Sequence, residues 1–406
     1  MRCGVRFVCA LVIGLIAGAP AAYAQPFPGE TDAARVRIGP LSVKPTFAIT
    51  NIGVDSNVFN QSDVDHPRQD FTITASPKAD WWLRAGRSTV SGTVKEDFVY
   101  YQTYGSERSI NGAYQAMVTM PFNRLTLRGG GSYMETRDRF GFEVDARAQH
   151  TESGFQGGAD LHAFGKTFLK LNARRARVAF DTDAFFLGNR LGVQLDRVMT
   201  GGSVAVQHRL TPFTSVSVTF DRTQDRFEFS RLRDSDSTSV VGGVEFAASA
   251  LVSGSAAFGY RNFDPLVADL AGYRGPTALV NLAYVAHGWT KLGLEAVRDI
   301  QFSYDAAEPY YVLSGLTGTI AQHVFGRFDG IGRMGHQRLA YRGRIGATDA
   351  GRDRVDFVYT FGGGVAYRVG REMRIGFNVD NQQRTSVLQD RRFGGLRYGT
   401  SVTYGF

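Results

Sequence analysis

The sequence predicts an all-β chain, a transmembrane antiparallel β-barrel of about 18 strands with short turns at one end and longer loops at the other. Three observations predict it. Apolar and polar residues alternate with period two in many short stretches, and no apolar run beyond residue 24 is long enough for a spanning helix. Composition is rich in glycine and aromatics, with both cysteines, Cys3 and Cys9, in the first nine residues. The chain ends in a strand-like alternation closed by Phe406.

The composition excludes several classes. Among 406 residues there are 48 glycines and 12 prolines, and aromatics make up 12%. With 43% hydrophobic and 21% charged residues, the chain is too apolar for disorder. A helical membrane protein needs runs of about 20 apolar residues. A secreted chain without disulfides draws its stability from a large core or from a sheet closed in a membrane.

The N-terminus reads as an export signal. Arg2 and Arg6 form a basic start, Phe7 to Gly18 an apolar stretch, and Ala22-Tyr23-Ala24 a small-x-small cleavage site before Gln25. The apolar stretch is too short to span a bilayer. Cys9 follows Phe7-Val8 rather than a small-residue lipobox. The expected organisation is a signal peptide over 1–24, a periplasmic segment over 25–42 and the barrel over 43–406. Cleavage after Ala24 removes Arg2 and Arg6 and no acidic residue, so the net charge of +8 falls to +6.

The strands follow in order. From Phe71 to Arg84, Phe71, Ile73, Ala75, Pro77, Ala79, Trp81 and Leu83 alternate with Thr72, Thr74, Ser76, Lys78, Asp80, Trp82 and Arg84. That is longer than a usual soluble strand of about 5–6 residues and suits a tilted strand crossing hydrocarbon in about 9–11. Pro77 is the exception, since it has no N–H for the ladder. The pattern recurs at Leu125-Leu127, Val204-Val206-His208-Leu210, Val216-Val218-Phe220 and Met373-Ile375-Phe377-Val379. Short turn signals (84–86, 121–123, 164–165, 211–212, 287–288, 325–326, 369–370) alternate with longer, more charged stretches (60–69, 137–149, 184–192, 230–236, 265–272, 344–352, 387–391). In outer-membrane barrels the short turns are periplasmic and the long loops extracellular. Strands are expected to start near 43, 70, 88, 109, 123, 151, 167, 194, 214, 236, 254, 275, 290, 310, 328, 353, 372 and 392; 16 strands is the alternative count. The phase breaks twice. Arg174, Arg175 and Arg177 separate two alternations that disagree by one residue, which a bulge would reconcile, and the phase also slips between Phe47-Ile49 and Ile52-Val54.

The C-terminus carries an assembly signal. Phe406, Tyr404, Val402, Thr400 and Tyr398 share one face, the pattern that barrel assembly machinery reads in a last strand. Trp81, Trp82 and the many Tyr and Phe near strand ends suit interfacial girdles.

Near the start of the barrel stands Gly53-Val54-Asp55-Ser56-Asn57-Val58-Phe59, preceded by Gly39-Pro40-Leu41 and Pro45. This resembles the opening of the outer-membrane β-barrel porins found with exopolysaccharide and capsule biosynthesis clusters, where an aromatic stands at the position of Val54. The resemblance implies passage of an exopolysaccharide across the outer membrane, with a polysaccharide-export lipoprotein as a partner, and brings no catalytic residues. Read by themselves, Asp55, Ser56 and Asn57 are turn formers that bond to local backbone, so a structured strand-to-loop exit is expected. Asp55, Asp63 and Asp65 do not have the spacing of an ordered calcium loop.

Tests for chemistry give little. The seven histidines (His66, His150, His162, His208, His287, His323, His336) are scattered without metal spacing, and no G-x-S-x-G elbow is present. Gly129-Gly130-Gly131 and Gly362-Gly363-Gly364 read as strand glycines rather than phosphate loops. No catalytic residue, cofactor, metal or nucleic-acid partner is expected. The candidate lumen charges are Arg84, Lys95, Arg128, Arg209, Arg368, Arg374 and Arg397, facing Asp80, Asp97, Asp221, Asp356 and Asp380 on the same inward register. They form either a hydrated wall of paired charges or a cation-rich path for anionic solutes. The expectation is a non-enzymatic, porin-like barrel in the outer membrane of a Gram-negative bacterium, serving exopolysaccharide export. The alternatives are a small-molecule diffusion channel and a barrel hydrolase.

Overall fold

Every second residue of these stretches is apolar and the backbone has no water to bond to inside a bilayer, so the strands must satisfy one another in a closed sheet. The computed structural model, which describes residues 36–62, 64–248, 250–345 and 354–405, shows that closure. Eighteen antiparallel strands form one barrel. They are β1 Leu41–Asp55, β2 Asp70–Ala85, β3 Ser88–Tyr101, β4 Ser109–Pro121, β5 Leu125–Arg139 and β6 Arg147–Phe164. Then come β7 Thr167–Phe180, β8 Arg197–Thr211, β9 Thr214–Phe227, β10 Ser235–Phe246, β11 Val252–Pro265 and β12 Tyr273–Ala286. The last are β13 Thr290–Phe302, β14 Tyr310–Phe325, β15 Phe328–Arg342, β16 Val355–Val369, β17 Met373–Thr385 and β18 Phe393–Tyr404. Each strand pairs with its neighbours in sequence, and β1 closes the ring against β18 through Phe47↔Tyr404 and Val54↔Tyr398. A short strand, Val36–Ile38, folds back on Leu41–Val43 at the end where the short turns lie.

All eighteen strands begin within four residues of their expected starts. The tight turns include Gly86 and Gly370, whose φ of 61° and 66° a side chain would strain. A turn at 247–251 and two loops, 102–108 and 303–309, were not among the expected ones. The signal peptide with its Ala24–Gln25 cleavage site, Asp63 and Phe406 lie outside the described residues.

Outward residues are the apolar ones. Val218 and Phe220 are 60% and 50% exposed, while Thr219 between them and Asp221 after them face in and are buried. Tyr398, Val402 and Tyr404 share the outward register of β18, with Arg397 facing in.

Both phase breaks resolve, in different ways. The slip at residues 49–52 is a true bulge: the register shifts there against both β2 and β18, and Asn51 takes φ 55°. Ile49 and Ile52 therefore both stay outside. The bulge expected near Arg174 is absent. β7 pairs with β6 and β8 in unbroken register from Phe168 to Val178, so Arg174 faces in while Arg175 and Arg177 face out. The apparent conflict arose because Val178 and Phe180, apolar like Leu169 and Leu171, lie on the opposite, inward register, where they join the apolar cluster at the long-loop end. Pro77 keeps its pairing with Phe47, but the ladder to β3 is interrupted between Ala75↔Phe98 and Lys78↔Lys95, where its missing N–H falls. Trp82 is not a girdle residue: it faces in and is buried at 2% exposure, whereas Trp81 lies outside against Gly92.

The main apolar core lies at the long-loop end rather than along the wall. Phe140, Val144, Phe180, Phe186, Leu191, Leu195 and Tyr304 pack together there, drawn from strand ends and from loops 140–146, 181–196 and 303–309. Loop 181–196 supplies a two-strand hairpin (Phe185–Phe186 with Asn189–Arg190) and the helix Leu191–Leu195.

Candidate permeation path

The wall of the lumen is a set of paired charges. Arg128 meets Asp160 at 2.6 Å, Lys95 meets Asp97 at 2.6 Å, and Arg397 meets Asp55 at 2.6 Å. Arg368 and Arg374 both engage Asp329, with Arg374 at 3.4 Å. Arg128, Lys95, Arg397, Arg368 and Arg374 therefore each face a carboxylate within 4 Å. The other two candidate lumen cations lie towards the short-turn end, where Arg209 stacks on Phe168 at 5.3 Å and Arg84 is exposed. Further pairs extend the wall. Arg174 donates two hydrogen bonds to Asp221, at 2.7 and 3.0 Å, and Arg333 meets Asp380 at 2.9 Å. Gly362 makes room for the latter, since a Cβ there would collide with an Asp380 oxygen. Asp80 accepts from Thr93 and pairs with Lys78.

Of the histidines, His323 lies 3.2 Å from Asp329. Its Nδ1 is also 2.9 Å from an Arg368 nitrogen, and among the described residues no hydroxyl completes a nucleophile–base pair there. Among the described residues no group of three His, Cys, Asp or Glu is disposed to hold a metal ion.

The Asp55-Ser56-Asn57-Val58-Phe59 segment is a structured exit from β1. The Asn57 N–H donates to Asp55 Oδ1, its side-chain amide donates to the carbonyls of Gln61 and Gly394, and Gln61 N–H donates to Asn57 Oδ1. Leu396 N–H donates to Ser56 Oγ, tying the exit to β18. Val58 is 1% exposed and its carbonyl accepts from Arg139, at the end of β5. Phe59 packs edge-on to Tyr104 at 5.0 Å.

The same Arg139 donates to the Asp145 carbonyl and so connects the exit to loop 140–146, which crosses the mouth. This loop leaves β5 and returns on β6, yet Phe142 packs against Tyr311, Leu339, Tyr341 and Val358 of β14, β15 and β16, on the opposite side of the ring. Arg384 of β17 holds it there. One guanidinium nitrogen donates to the carbonyls of Phe142 and Glu143 and to Asp145, at 3.0, 3.3 and 3.1 Å, while the other donates to Tyr341 Oη and Asp356, at 3.1 and 2.6 Å. Glu143 accepts from Ser303 Oγ at 2.6 Å and from the Tyr304 N–H at 3.1 Å. Arg391 lies over the Phe186 ring and bonds the Glu143 carbonyl. Arg354 stacks on Tyr341 at 3.8 Å and pairs with Glu308 at 3.1 Å. Burial raises the Glu143 carboxyl above its usual range, despite its hydrogen bonds and nearby arginines. It pushes Glu308 up to about 7 and Asp196 up to about 6. A cavity of about 550 Å³ remains beside the loop, bounded by Val58, Glu107, Arg147, Phe186 and Arg391.

Sequence reasoning did not find the Arg384–Glu143 knot. The available signal was loop composition: Phe140, Phe142 and Val144 are too apolar for a loop that faces water.

Comparison with known proteins follows this geometry. A family model described as "Putative beta-barrel porin 2" matches residues 29–406. The chain belongs to this family. It is an outer-membrane porin-like β-barrel. Solved structures it resembles include the outer membrane protein opdK from Pseudomonas aeruginosa, with 11% identity, 89% of this chain and 98% of that chain covered and a TM-score of 0.46. A BenF-like porin from Pseudomonas fluorescens Pf-5 gives 9% identity, 89% and 98% coverage and a TM-score of 0.47. The FrpB iron transporter from Neisseria meningitidis gives 11% identity, 90% and 67% coverage and a TM-score of 0.45. No curated protein matched the sequence.

Proposed function

We propose that this barrel is a non-enzymatic outer-membrane conduit for an exopolysaccharide, with an extracellular mouth that opens when loop 140–146 moves. The barrel assembly machinery inserts it, and a polysaccharide-export lipoprotein delivers the polymer to its periplasmic end. The observation that carries the reading is the wall of paired charges. A polymer rich in hydroxyls must find enough hydrogen-bonding partners to enter and no site strong enough to hold it. Side chains such as Arg174 and Asp221, already satisfied by each other, offer peripheral hydrogen bonds without a bare charge. The Asp55–Phe59 segment adds the resemblance to porins of exopolysaccharide clusters. Deleting the gene should leave the polysaccharide in the periplasm and lower the amount outside the cell, with restoration by the full chain. Unchanged export in the deletion strain rejects the assignment. A second reading, a small-solute channel, is favoured by the crossed mouth, which narrows the passage. Liposome swelling with mono- and disaccharides discriminates, since only a diffusion channel gives steady uptake without a polymer or its partner.

A further inference from the structure

The outer face of the barrel changes chemistry at one height. Going up from the short turns, the outward residues of β7 run Leu169, Leu171, Ala173 and then Arg175. Those of β9 run Val216, Val218, Phe220 and then Arg222, and those of β13 run Leu292, Leu294, Ala296 and then Arg298. Each strand starts with a threonine (Thr167, Thr214, Thr290), and in each the arginine is the ninth residue. Leu171, Phe220 and Leu294, just below, are 45%, 50% and 43% exposed, which fixes this register as the lipid side. Eight steps of about 3.3 Å, on a strand tilted by about 40°, place these Cα atoms about 20 Å above the turn. Their long stems then carry the guanidinium groups to the upper edge of an apolar band about 25 Å tall.

The arginines are confined to one arc. At the ninth position β3 has Glu96 and β5 has Tyr133. Within the arc, Arg177 and Arg226 stand higher on the same register, and positive charge exceeds negative. Arg177 pairs with Glu228 at 3.1 Å, and Asp236 is shared by Arg226 at 2.6 Å and Arg222 at 3.5 Å. Arg298 donates only to neutral oxygens, Ser314 Oγ at 2.7 Å and the Pro276 carbonyl at 3.2 Å. Arg175 is exposed and has no hydrogen-bond or ion-pair partner among the described residues. Between β7 and β9 the register sets Thr200 beside Arg175 and Gly202 beside Arg222, so small residues floor the space between the two arginines.

We propose that this arc binds the phosphorylated head group of a glycolipid in the outer leaflet. Guanidinium groups match phosphate oxygens bidentately and are more weakly hydrated than ammonium groups. Arg175 and Arg222 stand two strands apart, about 10 Å, so two phosphates on one sugar head group can be met at once. Lateral binding on the outer wall leaves the lumen free and does not depend on what passes through it.

The test is native mass spectrometry of the full mature barrel in detergent with bisphosphorylated lipid A as the probe. Dephosphorylated lipid A and phosphatidylglycerol serve as comparisons, with and without EDTA. The expected result is retention of bisphosphorylated lipid A in EDTA, because arginine needs no bridging cation. Loss of roughly tenfold in occupancy is expected for the triple variant R175Q/R222Q/R298Q, with E96Q unchanged. Heat-modifiability reports folding; if the triple variant fails to fold, R175Q alone, which breaks no internal contact, should still lose occupancy measurably. Equal retention of the dephosphorylated lipid, equal retention of phosphatidylglycerol, or unchanged occupancy in R175Q overturns the proposal.

Discussion

Replacing Arg384 with methionine should open the mouth. The substitution keeps most of the side-chain volume but removes five hydrogen bonds at a site 1% exposed. It leaves Asp356 fully buried and Asp145 nearly so without their main cation. Removing one partner of a buried ion pair costs about 3–5 kcal/mol, because the remaining charge is stranded. Two arginines soften the loss here. Arg354 Nε is 3.7 Å from Asp356 and Arg391 is 3.3 Å from Asp145. The lower end, about 3 kcal/mol, is therefore the figure to use, and it shifts the ratio of open to closed loop by about a hundredfold. Single-channel recording in planar bilayers reads this directly: the unmodified barrel should show rare openings and the variant a long-lived conducting state. Limited proteolysis should cut the variant within 140–146 and spare the parent. Equal open probability together with equal protection of the loop refutes the idea that Arg384 holds the mouth shut.

Four other outcomes are expected. Glu308 and Asp196 have carboxyls raised to about 7 and about 6 by burial in the closed mouth. Their contribution to closure is complete below the ordinary carboxylate range of about 4 and is lost as pH rises through 6–7, so open probability should climb between about pH 5 and pH 8; a pH-independent record contradicts this. Exchanging Arg368, Arg374 and Arg397 for glutamine leaves Asp329 and Asp55 without their arginine partners, so the reversal potential should move towards cations; cation preference already present in the parent barrel rejects a basic path. Asn51 holds φ 55° in the β1 bulge, so Asn51→Val should lower the urea midpoint by about 1–2 kcal/mol equivalent while Asn51→Gly has little effect. Deleting Phe406, two residues after Tyr404 in the sequence, should reduce the heat-modifiable folded fraction in outer membranes, as measured by semi-native electrophoresis.

How much was legible in the sequence differs between the wall and the mouth. The period of two is a local property, set by the pleat and by one lipid-facing side, so Val204-Val206 or Phe377-Val379 announce their face without any knowledge of their neighbours. For the same reason strand number, strand starts and most turn positions were readable. The phase was misread near Arg174 because Val178 and Phe180, inward residues that pack in the apolar cluster at the mouth, look in sequence like lipid-facing ones. Trp82 was misread as a girdle residue because a large aromatic near a strand end looks interfacial in sequence, whereas its register turns it inward and buries it. What only the tertiary structure decided is the loop across the mouth. Arg384 and Glu143 are separated by more than half the chain, and their encounter depends on a loop crossing the full width of the ring. No period reports that crossing. A buried ion pair is selected by three-dimensional proximity and desolvation, which leave no spacing rule in the sequence.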